Sequence, residues 1–272
     1  MASTEHEVYF RGQANAQWRL TSSYGRVFQG LTEQAGWSDD HDRIAQKIER
    51  RLWKEFRKAY LRIPGAPDLP SANDNEFVGF CQHHSLPTRL LDWTRSPYIA
   101  AFFAFDGCKT NLLPRQRQVA IYAINWTIYK LALYHSHDRT EPAQISLFEP
   151  GDLERKLEII RRANRPRLEL IQIRGNPNRR AVYQEGIFTC SIKIEDDVEN
   201  YLRRIGEFSP GTILTKIVVP GGAQSEALKD LSRMTISPVT LMNDPTGAAA
   251  TAFNSVVRFA STDFASLNSP DD

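Results

Sequence analysis

Residues 82–97 read Gln82-His83-His84-Ser85-Leu86-Pro87-Thr88-Arg89-Leu90-Leu91-Asp92-Trp93-Thr94-Arg95-Ser96-Pro97. A bland loop would carry Gly, Ser and Asn; this stretch carries paired histidines, two threonines, an aspartate and a tryptophan. Arg89-Leu90-Leu91-Asp92-Trp93 is compatible with a buried strand. Ser96-Pro97 is a helix-start signal, Ser as N-cap and Pro in the first turn. Tyr98–Phe105 continues as a nearly all-apolar helix, which calls for burial on every side. The stretch is therefore a strand-to-helix junction, where side chains and backbone amides converge and a helix N-terminus favours anions.

Upstream, Glu7-Val8-Tyr9-Phe10-Arg11-Gly12 reads as a short strand ending at Gly. With no element before it to pack on, it must pair with strands from later in the chain. Trp18–Ser23 reads as a second extended piece, and Ser22 or Ser23 caps a short helix through Phe28. From Asp42 a helical stripe recurs every four residues (Ile44, Ile48, Leu52, Phe56, Tyr60), ended by Pro64–Pro70. Its other surface holds Lys47, Arg50, Arg51, Lys54, Arg57 and Lys58; a solvated face is the ordinary reading, an anion-facing surface the alternative. Asn75–Cys81 reads as a short helix leading into the quoted stretch.

Downstream, Gln118–Trp126 is the clearest strand. Tyr134–Pro150 reads as irregular, and Asp152–Ile173 as a helix interrupted at Pro166. Arg174–Asn178 is turn chemistry, followed by two strands, Arg179–Gly186 and Ile187–Ile192, around a Gly turn. Leu214–Pro220 is a strand, Ser225–Met234 a helix capped by Ser225, and Asn243–Gly247 a turn. Strands spread along the whole chain predict one α+β domain with a mixed or antiparallel sheet and surrounding helices.

The totals exclude several classes. The 272 residues have 41% hydrophobic and 10% aromatic content, ordinary for a folded globular protein, and a formal charge of +2 that selects no polyanionic partner by itself. Three cysteines, Cys81, Cys108 and Cys190, leave an odd count and suit a reducing cytosol. No apolar run reaches membrane-spanning length and the first residues are polar, so the expectation is a soluble cytoplasmic protein without membrane partners. His83-His84 on an extended backbone would point to opposite faces, so no metal site is expected. Cys81 continues an apolar run and reads as an inert buried thiol.

The remaining candidates lie at strand ends: Arg11, the Thr88–Ser96 junction, and Gln184-Glu185. An arginine fork suits phosphate or carboxylate. Thr94 and Ser96 offer hydroxyls, and a carboxylate such as Glu185 would steady a cationic transition state. Arg11 could instead pair with Asp92 as a structural ion pair.

Tyr9-Phe10-Arg11-Gly12-Gln13, the stretch Gln82–Thr94 with Ser96-Pro97, and Ala101-Phe102-Phe103-Ala104 strongly resemble the FRG domain family. Its pattern is also met by Arg179/Arg180, by Gln184-X-Gly186-X-Phe188-Thr189, and by Lys216–Pro220 with the helix after it. Ser85 stands where the family commonly has Gly. The resemblance implies one FRG-like domain over 1–272, with a core of about 7–220 and a C-terminal strand–helix extension, 212–260. A weaker, fold-level likeness is to ADP-ribosyltransferases of the arginine–serine–glutamate type, in the order Arg11-Gly12, Thr94-Arg95-Ser96, Gln184-Glu185-Gly186.

That likeness implies NAD as substrate, with ADP-ribosyl transfer or NAD hydrolysis as the reaction and toxin or phage defence as the setting. Arg11 would grip a phosphate; Thr94, Gln184 or Glu185 and His83 would act at the reacting ribose. Gly12, Gln13, Thr88, Arg89, Asp92, Trp93 and Ser96 would complete a nucleotide site. A protein or nucleic acid would be the target. The competing expectations are a nucleic-acid-binding or -processing protein, using the basic helix and the Arg161-Arg162 and Arg179-Arg180 pairs, and an inactive interaction module.

Overall fold

A computed structural model describes residues 7–35, 41–71, 75–107, 118–138, 152–163, 165–173, 182–192 and 198–262. Among them are six strands: β1 Val8–Gln13, β2 Leu90–Thr94, β3 Gln118–Asn125, β4 Arg167–Ile171, β5 Gly186–Ile192 and β6 Leu214–Pro220. The helices are α1 Ser23–Ala35, α2 His41–Tyr60, α3 Asn75–His83, α4 Pro97–Asp106, α5 Trp126–Asp138, α6 Asp152–Arg162, α7 Val198–Gly206, α8 Gln224–Arg233, α9 Pro238–Met242 and α10 Pro245–Thr262. The strands form one antiparallel sheet in the order β4-β5-β2-β1-β3-β6. This is the expected α+β single domain. Strand β1 lies in its interior, between β2 and β3, both of which come later in the chain.

Alternation sorts side chains onto the two faces of the sheet. Tyr9, Leu91, Trp93, Tyr122, Ile124 and Ile187 belong to the main core with Tyr129 and Leu133 of α5, Ile160 of α6 and Tyr201 of α7. On the other face α4 lies against β1, and its Ala104 and Phe105 pack with Val119. Ile99 and Phe102 pack with Leu231 of α8 and Leu241 of α9. Helix α4 is thus covered from both sides, as its all-apolar sequence demands, although Tyr98 stays 54% exposed. Gly12 makes the close approach possible: a Cβ there would collide with the Ala100 carbonyl and stand 2.6 Å from the Ala104 nitrogen.

Several expectations need correction. Trp18–Ser23 is not a strand; Ser22 Oγ accepts from the Gly25 amide at the start of α1, which runs on to Ala35. Tyr134–Asp138 is helical, because α5 continues its buried stripe through His135. Beyond Pro166 the chain is not helix but β4: Arg167-Leu168-Glu169-Leu170-Ile171 pairs with β5. Residues 182–185 form a short helical turn rather than a strand. Ser225 lies inside α8, whose N-cap is Ala223. The residues 139–151, 174–181 (with Arg179 and Arg180) and 263–272 lie outside the described residues. No helix is long and apolar enough to cross a membrane among the described residues.

Candidate functional site

Strands β1 and β2 are in register at Phe10 and Thr94 only. Beyond that pair β1 continues with β3 and β2 with β5. A cleft of about 500 Å³ opens where they part, lined by Phe10, Arg11, Gly12 and Phe103, by Asp92, Trp93 and Thr94, by Gln82, His83 and Ser85, and by Gln184, Gly186 and Phe188.

Arg11 reaches across the parting. Its Nη1 donates to the Asp92 carbonyl at 2.8 Å and lies 3.6 Å from Asp92 Oδ2. Its Nε is buried without a hydrogen-bond partner. Nearby, Arg26 donates to the Thr21 carbonyl at 2.7 Å. Burial, and next the Arg11 guanidinium, hold Arg26 below the usual arginine range, so the two cations feel one another.

A relay of side chains fixes Asp92. The buried Thr88 donates from Oγ1 to Gln82 Oε1 at 2.6 Å, and Gln82 Nε2 donates to Asp92 Oδ1 at 2.5 Å. Thr88 itself is locked by Ser23, whose Oγ accepts from the Thr88 amide at 3.0 Å. The carboxylate is held from one side by an amide and approached from the other by a guanidinium, while its side chain stays 62% exposed. Gln82, the first residue of the quoted stretch, was not among the expected site residues; its place on the last turn of α3, directed at the middle of β2, becomes visible only in three dimensions.

The expected residues divide as follows. Arg11, Gly12, His83, Asp92, Trp93, Thr94 and Gln184 share the cleft. Gln13, Thr88, Arg89, Ser96 and Glu185 do not line it. Gln13 is buried and donates to the Trp18 carbonyl at 2.9 Å. Arg89 pairs with Glu49 at 2.9 Å and stacks over Tyr24. Ser96 Oγ is spent as the N-cap of α4, accepting from the Ile99 amide at 3.3 Å. Glu185 is exposed with φ of 47°, at a turn whose carbonyl accepts from the Arg95 amide. Of the pair, Gln184 is on the cleft, tethered by Nε2 to the Leu241 carbonyl at 3.4 Å.

Thr94 Oγ1 accepts from the Ser96 amide at 3.1 Å and keeps its own proton to donate. His83 ends α3 rather than lying on extended backbone, and its ring meets His84 edge-on at 5.1 Å. Ser85 has a φ of 62°, a left-handed conformation that glycine adopts more easily. No group of three or more His, Cys, Asp or Glu that could hold a metal ion occurs among the described residues.

Residues 6–111 match the family model of the FRG domain. No curated protein and no solved structure matches the chain.

Proposed function

We propose that the FRG domain carried by residues 6–111, completed by Gln184, Gly186 and Phe188 of the later chain, binds an NAD-type dinucleotide and breaks its nicotinamide–ribose bond. The observation that carries this reading is the pairing of one anion-seeking group with one carboxylate in a single cleft. Arg11 has a buried Nε with no partner, which a phosphate oxygen would satisfy. Asp92 is the carboxylate among the described residues lining the cleft. Phe10, Phe103 and Phe188 supply apolar surface of the kind small-molecule clefts use.

In this reading Asp92, rather than Glu185, which does not line the cleft, faces the positive charge that develops at C1′ as the bond to nicotinamide breaks. The bonding pair leaves with nicotinamide, which departs neutral. Water, or a nucleophile of a target, adds at C1′ and gives up a proton, with His83 at the rim to receive it. Thr94 and Gln184 would hold the ribose hydroxyls.

Thermal unfolding with and without NAD, together with nicotinamide release, tests the proposal. The wild type is expected to be stabilised by NAD and to release nicotinamide. Asp92→Asn is expected to keep the stabilisation and lose release, Arg11→Ala to lose both, and Glu185→Ala to change neither. Absence of any NAD effect on the folded wild type would overturn it.

A further inference from the structure

Helix α2 packs its aromatic side against α3: Trp53 and Phe56 meet the Phe77 ring at 5.9 and 6.4 Å, and Tyr60 meets Phe80 at 5.5 Å. Its acid Glu49 is turned inward to Arg89, with side-chain exposure of only 12%. Lys47, Arg50, Arg51, Lys54 and Lys58, followed by Arg62, are exposed. Among the described residues Glu55 is the acid that pairs with this row, shared between Arg51 at 2.9 Å and Lys58 at 3.2 Å. A chain of net charge +2 has gathered six cations on one flank. Arg50 and Arg51 are adjacent; the other steps within α2 are of three or four residues, roughly 4.5–6 Å along the axis, and Arg62 follows just past the helix end at Tyr60.

A ladder of rings links the end of α2 to the cleft. From Tyr60 the ring contacts continue through Phe80 to His84 at 4.4 Å and on to His83, which lines the cleft. Both histidines are exposed.

We infer that the cationic flank of α2 is the docking surface for single-stranded nucleic acid, its phosphates following Lys47 to Arg62 and an unpaired base meeting the His84–His83 rings at the mouth of the cleft. A backbone bearing one charge per nucleotide complements a row of regularly spaced cations, and exposed rings reward bases that are not already stacked in a duplex. An anionic membrane fits less well. An interfacial helix needs its apolar stripe free, and here that stripe is spent on α3, leaving only Leu61 and Ile63 exposed near the end of the row. The docking surface stands independently of the dinucleotide chemistry; the further role of the bound strand as acceptor of the ADP-ribosyl group rests on that reading.

The test is fluorescence anisotropy of the full chain with a labelled 20-nucleotide single strand, titrated at several salt concentrations. The wild type is expected to bind, with a salt slope of roughly −4 if six phosphates are neutralised at about −0.7 each. Lys47→Glu/Arg50→Glu/Lys54→Glu is expected to bind at least tenfold more weakly, with the slope reduced by roughly 2, and to keep its response to NAD and its circular dichroism. If charge reversal disturbs the fold, the Gln triple variant replaces it, with the same direction expected. Arg11→Ala is expected to bind the strand as the wild type does, which separates failure of the cleft reading from failure of this one. No binding by the wild type, equal binding by the triple variant, equal affinity for a duplex, or preference for polyglutamate or phosphatidylserine vesicles would each overturn the inference.

Discussion

Arg11 Nη1 donates to the Asp92 carbonyl at 2.8 Å at the point where β1 and β2 stop pairing. A side chain stands in there for a backbone rung, so the guanidinium serves both the sheet and the cleft. Arg11→Lys keeps the charge but loses the fork. It is expected to lower stability by about 1–3 kcal/mol, the cost of an unmet carbonyl, and to weaken dinucleotide binding. Urea unfolding and ligand titration on one preparation read the two effects separately; unchanged unfolding would show that the Asp92 carbonyl does not depend on the fork.

Gln82 joins Thr88 to Asp92. Gln82→Leu leaves the fully buried Thr88 without its acceptor and frees the Asp92 carboxylate to rotate. A loss of about 1–2 kcal/mol is expected by urea unfolding, with a fall in turnover larger than any change in dinucleotide affinity. Equal effects on both would mean that Gln82 supports the fold alone.

Gly12→Ala puts a methyl into the backbone of α4, where the opposing atoms belong to a helix and cannot step aside. The expected cost is about 3 kcal/mol or more, read as a lower midpoint in urea. An unfolding free energy within about 0.5 kcal/mol of the wild type's, the range of neutral substitutions, would show that α4 slides on β1.

Burial pushes the Cys81 and Cys190 thiols, and the Tyr24 and Tyr201 phenols, up to about 12. Each neutral form is favoured by folding, so its contribution is complete below the ordinary pKa and is lost as pH rises through the folded one. Stability is expected to be flat near neutrality, to fall from about pH 9 and to collapse toward 12. In a Cys108→Ser/Cys190→Ser background the buried Cys81 thiol is expected to resist iodoacetamide at pH 8 until denaturant is added; fast labelling of the native protein would contradict its burial.

Periodicity made much of this fold legible. Val8–Gly12, Leu90–Trp93, the Ser96-Pro97 start and Gln118–Asn125 all carry local signals that packing reinforces. Arg167–Ile171 failed because its alternation spans only five residues and follows a helical segment; only pairing with β5 decides it. In the cleft, Arg11 and Thr94 were visible as strand-end residues. The choice between Gln184 and Glu185 was not, since it turns on a left-handed residue at Glu185. Gln82 was hidden for a related reason: a hydrogen bond from a helix end to a strand leaves no periodic trace.

The parting of β1 from β2 also concerns the order in which the chain is made. Among the described residues, the stretch 6–111 contributes these two strands to the sheet, joined at one residue pair. The long ladders that hold each of them, β3 and β5, are encoded beyond it. The segment that matches the family model therefore holds two of the six strands, and on the ribosome β1 must wait for β3, complete at Asn125, while β2 waits for β5, complete at Ile192. The boundary drawn by sequence likeness cuts across both ladders that hold its strands in the sheet.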